Sequence, residues 1–368
     1  MILNRLERVR QELRKSGIDC LSLIPGSNLR WLTGIDFHLM ERALIFFIPA
    51  EQEPVLVLPV LERVKWDSQV AIAARVFAWK DGEGAEEAVR QASTALPAIS
   101  ILAVEDLRMR VMEYRLVRDN LPEAQIVRAE DVMAPLRLCK DAAEIAAIRR
   151  AVGICEAALE EVISGIVPGM TEREIAGRLS SALLLHGGDS VPIEPQVLSG
   201  SRSALPHGGA TERRIQPGEL LLFDFVTTVE GYYADLTRTF LVEREPDKRQ
   251  QQVYQAVLTA NETGRKSIYP GVVCEAVDAA ARSVIDSAGF GENFIHRAGH
   301  GLGLEVHEAP YLVAGNKMRL EAGMAVTIEP GVYIEGWGGV RVEDNVVVTV
   351  GGSESLSTFD RAMRVIGT

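Results

Sequence analysis

Two stretches of this chain, LLLFDFV around Asp224 and AVTIEP around Glu329, set a carboxylate inside an apolar run that reads as a buried strand. Burying a bare carboxylate costs several kcal/mol, which only an ion pair or a bound cation offsets. Each stretch also leads into a second strand with its own acid. Leu220–Thr228 passes through a turn at Glu230-Gly231 into Tyr232–Val242, which carries Asp235. Ala325–Ile334 passes through Gly336–Gly339 into Val340–Val350, which carries Glu343. The matched layout suggests a duplicated helix-and-hairpin unit. One buried acid is most simply explained by an arginine beside it. Four acids at matched places in two hairpins point to a shared cation site.

Strand alternation adds neighbours. If Asp235 faces the site, Tyr233 and Thr237 face it too, and Arg341 shares a face with Glu343. Four carboxylates balance two divalent cations, which would lower the pKa of a hydroxide bridging them. Four histidines, His207 in ALPHGG, His296, His300 in AGHGLG and His307 in EVHEAP, fall near these strands. His38 and His186 read as ordinary polar surface residues. A donor set of oxygens with one imidazole suits Mn²⁺ or another hard to borderline ion.

The remainder of the chain sets the frame. Its 368 residues imply two domains. Hydrophobic residues at 47% and charged residues at 24% mark a globular protein. No apolar run approaches the ~18 residues of a membrane span, so no membrane association is expected. MILNRLERVRQELRKSG reads as a surface helix over 3–16, not a signal peptide, with Ile2, Leu6, Val9 and Leu13 on one stripe. Cys20, Cys139, Cys155 and Cys274 lack metal-site or redox spacing and read as buried free thiols, which fits a cytoplasmic protein. A formal charge of −12 argues against nucleic acid as a partner.

The first 135 residues read as an α/β domain: a strand at Cys20–Ile24, a hairpin of Ala43–Ile48 with Val55–Leu58, helices near 84–95 and 108–119, and strands at Ile101–Val104 and Gln125–Val127. A boundary near Leu136–Asp141 leads into a second domain over 140–368. It opens on a helix at about 141–164, with Ile145, Ile148, Val152, Cys155, Leu159 and Val162 along one stripe. A capping box of Thr171 with Glu174 starts the next helix, and two more are expected near 247–267 and 273–288.

The segments HRAGHGLGLEVHEAP, TIEPGVYIEGWGGVRVED, LLFDFVTTVEGYYADLTRTF and SALPHGG resemble, in order, the four signature segments of the metallopeptidase family of aminopeptidase P and prolidase. The resemblance covers most of 140–368. It implies an α+β pita-bread catalytic domain with pseudo-twofold helix-and-hairpin repeats, preceded by a creatinase-type N-terminal α/β domain. It also implies roles for individual residues. Asp224 would chelate one metal, Asp235 and Glu343 would bridge both, and His300 and Glu329 would hold the second. Glu329 would also shuttle a proton, His307 would stabilise the oxyanion, and His207 and Arg341 would position substrate. The metals would be two divalent ions, Mn²⁺ first, with Co²⁺, Zn²⁺ and Fe²⁺ as the others. The implied reaction is hydrolysis of the bond preceding proline, in Xaa-Pro dipeptides or short Xaa-Pro-N-terminal peptides, by a metal-bridging hydroxide.

Val226, Ala298 and Asn345 depart from the common pattern, which has Gly, Thr and Asp there. The competing readings are a non-peptide C–N or other small-molecule hydrolase on the same scaffold, creatinase-like, and a non-enzymatic binding module. The resemblance further implies a homodimer, with a loop near Trp31–Met40 that either reaches a partner's site or is ordinary core and surface.

Overall fold

Short strands that are apolar from end to end demand cover on both faces, and the first part of the chain supplies several. The computed structural model describes residues 2–69 and 72–367 and divides into two compact units, Met1–Arg137 and Leu138–Thr368. In the first unit α1 (Ile2–Ser16) precedes β1 (Cys20–Leu23), α2 (Ser27–Thr33), β2 (Ile45–Pro49) and β3 (Val55–Pro59). Then come α3 (Arg63–Gln69), β4 (Arg75–Trp79), α4 (Glu86–Ala95), β5 (Ile101–Val104), α5 (Val111–Asn120), β6 (Gln125–Arg128) and α6 (Glu130–Leu138). The strands form one six-stranded mixed sheet in the order β4-β3-β2-β1-β5-β6, and β1 to β3 are buried throughout. Leu6, Val9 and Leu13 of α1 are buried as their spacing predicts, and the side chain of Ile2 lies outside the described residues. Trp31 belongs to α2, not to a loop. It is buried under Arg5 and Arg8, whose guanidinium carbons lie 4.8 and 5.6 Å from its ring centre, whereas Leu39 and Met40 are exposed.

The second unit begins with α7 (Ala142–Ser164), capped by Asp141, whose side chain accepts the N–H groups of Ala143 and Glu144. Next comes α8 (Glu172–Leu185), opened by the Thr171–Glu174 capping box. After it run β7 (Gln196–Ser199), β8 (Leu220–Val229), β9 (Tyr232–Val242), α9 (Lys248–Lys266) and α10 (Cys274–Ser287). The chain then continues through β10 (Gly299–Gly301), β11 (Glu308–Leu312), β12 (Ala325–Ile328), β13 (Gly331–Ile334), β14 (Gly338–Arg341), β15 (Asp344–Thr349), β16 (Gly352–Ser355) and β17 (Val365–Ile366). Three sheets result: β17-β9-β8-β7, β11-β10-β12-β15-β16, and the hairpin β13-β14. Val253, Val257 and Ala260 of α9 pack with Ala281 and Ile285 of α10 against Val332 and Val340.

The first acidic hairpin is continuous, with β8 and β9 paired from Leu220 opposite Leu241 to Val229 opposite Tyr232. The second departs from the expected layout. Ala325–Ile334 is broken after Ile328 and Val340–Val350 after Arg341, so β12 pairs with β15 in one sheet while β13 pairs with β14 in another. Pro330 has no N–H to give a ladder. At the second break the Glu343 N–H leaves the hairpin and donates to the Thr237 carbonyl of β9 at 3.1 Å. Glu329 and Glu343 therefore sit at strand breaks, not within strands.

Candidate metal centre

Register places the first pair of acids. Asp224 stands opposite Thr237 and Val226 opposite Asp235, so all four side chains share one face of the β8–β9 ribbon. His300 comes from β10 of the neighbouring sheet, and Glu329 and Glu343 from the two breaks. The ligand atoms form three overlapping groups, each within 4.8 Å: Asp224 with Asp235 and Glu343, His300 with Glu329 and Glu343, and Asp235 with His300 and His307. They line a cleft of about 840 Å³ together with His207, His296, Arg297 and Arg341. The five candidate ligands, His207, His296, His307 and Arg341 thus reach this one cleft, whereas Tyr233 and Thr237 are not among its lining residues.

The hydrogen bonds leave the site's centre unsatisfied. Asp235 Oδ1 and Glu343 Oε1 are buried, and find no hydrogen-bond partner among the described residues. The carboxylate oxygens turned outward are engaged. Thr237 Oγ1 donates to Glu343 Oε2 at 2.7 Å, and Gln196 Nε2 donates to Asp224 Oδ2 at 2.9 Å. Arg341 pairs with the same Asp224 oxygen and donates through Nε to Thr237 Oγ1 at 3.1 Å. His300 directs Nδ1 at the Gly301 carbonyl, 3.1 Å away, which leaves Nε2 facing Glu329 Oε1 at 3.3 Å and Asp235 Oδ2 at 3.8 Å. A histidine held by Nδ1–H in this way offers the Nε2 lone pair to a cation.

The electrostatics agree. Burial, then Asp224 and Glu329, push Asp235 well above the usual carboxylate range. Burial, then Asp235, Glu329 and Asp224, do the same to Glu343. Glu329 rises to about 7, chiefly by burial, with Arg341 opposing. Burial and the neighbouring His307 press His300 well below its ordinary value, so its contacts with the acids are not ion pairs. Crowded acids that resist ionisation, two of them with orphaned buried oxygens, and a neutral imidazole aimed among them form a donor set that divalent cations fit.

Around this centre lie groups to which the sequence pattern assigns no role. Tyr333 accepts from Arg341 Nη1 at 2.6 Å and meets His296 Nε2 at 2.8 Å. His296 is driven down to about 4 by burial and Arg341. Gln196 joins Asp224 to the His207 loop by accepting the Gly208 N–H at 2.8 Å. Asn345 binds the Asp235 backbone. His296 is among the four histidines that the sequence places near the acidic strands, but without a role. Gln196 and Tyr333 carry no such signal. His307 is exposed at the cleft wall, its ring centre 4.2 Å from that of His300, and His207 is exposed at the rim.

Comparison with known proteins accords with this geometry. Residues 146–350 match the model of metallopeptidase family M24, and residues 5–139 match the creatinase/prolidase N-terminal domain. The chain is 36% identical over 354 residues to the probable dipeptidase PepE of Mycobacterium tuberculosis, covering 95% of this chain and 93% of that one. It is 31% identical to the Xaa-Pro dipeptidase of Pyrococcus horikoshii, covering 98% of each. The crystal structure of recombinant prolidase from Thermococcus sibiricus superposes with a TM-score of 0.95 at 33% identity, covering 99% of both chains. With its two domains, its acidic cleft and these relatives, the chain belongs to metallopeptidase family M24 and is a peptidase.

Proposed function

We propose that the protein hydrolyses the peptide bond preceding proline in Xaa-Pro dipeptides or short Xaa-Pro-N-terminal peptides, using two divalent cations held by Asp224, Asp235, His300, Glu329 and Glu343, with Mn²⁺ the first choice. The observation that carries this reading is the trio of overlapping ligand groups, with Asp235, His300 and Glu343 each shared between two of them. Relatives named Xaa-Pro dipeptidase and prolidase support the substrate class. Four carboxylates match the charge of two divalent ions. Bound there, such ions would act as Lewis acids toward a carbonyl and make water acidic enough to attack at neutral pH.

The chain's own groups account for the rest. Glu329, at the strand break beside the cation site, can take a proton on its carboxylate and return it to the leaving nitrogen. His307 at the cleft wall is positioned to donate to a developing oxyanion. Arg341, fixed by Asp224, Thr237 and Tyr333, would position the substrate from the cleft floor, with His207 at the rim. Exposed Ile193 and Ile295 give the cleft an apolar rim suited to side chains flanking the bond.

The test is hydrolysis of Ala-Pro and Ala-Pro-Ala by the Mn²⁺-loaded protein, with chelator-treated protein beside it. Cleavage of the dipeptide that chelation abolishes is the expected result. Cleavage of the tripeptide alone would make the enzyme an aminopeptidase. Failure on both substrates with metal bound would overturn the substrate class.

A further inference from the structure

The two sheets that carry the candidate ligands meet along a seam built from side chains. Opposite β9, residues 341–345 run antiparallel, with Thr239 beside Arg341, Thr237 beside Glu343 and Asp235 beside Asn345. At the first rung, Thr239 Oγ1 donates to the Arg341 carbonyl at 3.0 Å and accepts the Arg341 N–H at 3.2 Å. The second rung joins the Glu343 N–H to the Thr237 carbonyl at 3.1 Å, with Thr237 Oγ1 on Glu343 Oε2 at 2.7 Å. At the third, Asn345 Oδ1 accepts the Asp235 N–H at 3.1 Å, and Asn345 Nδ2 donates to the Asp235 carbonyl at 2.5 Å. The rungs recur at every second residue, as in a strand ladder. Here a carboxamide stands where a backbone partner would be.

Only a group that both donates and accepts can fill that last rung, and a carboxamide does so in fixed geometry. Asn345 is fully buried and fixed in turn by Ser357. Its N–H donates to Ser357 Oγ at 2.9 Å, and Nδ2 lies 3.1 Å from the same oxygen. An alanine there would leave both backbone groups of Asp235 without this partner, and a carboxylate could accept the Asp235 N–H but not donate to its carbonyl.

We propose that Asn345 is a positioning residue for the cation site, fixing the Asp235 backbone against β15 and so setting the separation of the Asp235 and Glu343 carboxylates. The inference rests on the dinuclear reading given above. The rungs at Thr237 and Thr239 are independent of Asn345, as is the clasp of Arg238 on the Glu343 carbonyl at 2.5 Å and on Asp344 at 2.8 Å. The seam therefore survives loss of the third rung while the ligand spacing loosens.

The test is calorimetric titration of Mn²⁺ into the metal-free full-length protein and its variants, with circular dichroism to show that each is folded. Asn345→Ala is expected to weaken Mn²⁺ binding by about 10–100-fold, the range typical of groups that orient a metal ligand. Ser357→Ala, which frees the amide from its anchor, should weaken it less and in the same direction. Ile285→Val in α10, a comparably mild core change away from the site, should leave affinity unchanged. Parent-like affinity in folded Asn345→Ala would overturn the proposal. If Asn345→Ala fails to fold, parent-like affinity in Ser357→Ala would overturn it. A parent that binds no Mn²⁺ would bring down the dinuclear reading and this inference with it, whereas a binding parent with unaffected variants would bring down this inference alone.

Discussion

Asp235 and Glu343 each keep one carboxylate oxygen buried and unmatched by any described donor, so without metal the fold holds them at a cost. The sign of the pH dependence follows. Asp235, Glu329 and Glu343 have folded pKa values raised above those of the unfolded chain. The folded state therefore binds more protons between the two sets of values. The contribution is fully present below the unfolded carboxylate range of ~4 and is lost as pH rises through about 7 for Glu329 and through the raised values of the other two. Metal-free protein should lose thermal stability from pH 5.5 to 8, and added Mn²⁺ should raise Tm more at pH 8 than at pH 5.5. Differential scanning calorimetry in chelator and in Mn²⁺ checks both. The same reasoning predicts that Asp235→Asn melts higher than the parent at pH 8 when both are metal-free, by roughly 2–4 °C per kcal/mol recovered. With Mn²⁺ present it should lose the metal-induced rise. A variant that kept the full rise would remove Asp235 from the ligand set.

Among the elements, the short loop ahead of β11 is held by a buried ion pair. Lys140 Nζ lies 2.6 Å from Glu308 Oε1, both side chains are under a tenth exposed, and Glu308 directly follows His307. Removing one member of a buried pair typically costs ~3–5 kcal/mol, because the other charge remains in a poor environment. Lys140→Met should lose that much in urea unfolding, and Lys140→Met with Glu308→Gln should regain part of it. An additive double variant would show that the pair is not coupled. This tie lay beyond the reach of sequence, since its partners are 168 positions apart. What pattern could show was the β8–β9 hairpin, whose unbroken apolar run sets Asp224 and Asp235 on one face. It showed less of the second hairpin. Pro330 was a visible break, but Val342-Glu343 continues the alternation, and its crossing to β9 depends on the Thr237 carbonyl. Tyr333 and Gln196 went unnoticed for the same reason, since their partners come from other strands and loops.

At the scale of the whole molecule, the family resemblance implies a homodimer, and the first unit offers a surface for one. Val60, Leu61 and Val64, at the start of α3 and in the turn before it, are 48%, 55% and 77% exposed. Three neighbouring aliphatic side chains held in water favour a partner that covers them, and a twofold interface would present the same patch twice. The homodimer implied by the resemblance is tested at this patch. The formal charge of −12 on each chain opposes association at long range, so raising salt to about 0.3 M should tighten the dimer if apolar contact holds it. Sedimentation equilibrium of the parent should give two chains per particle, with dissociation greatest at low salt. Leu61→Arg combined with Val64→Glu should give one chain per particle, and both positions are exposed enough for the fold to survive. A double variant that remained dimeric would place the interface elsewhere. If the monomer formed and kept full activity, the cleft in the second unit would need nothing from a partner, and the Trp31–Met40 segment would have no part in a partner's site.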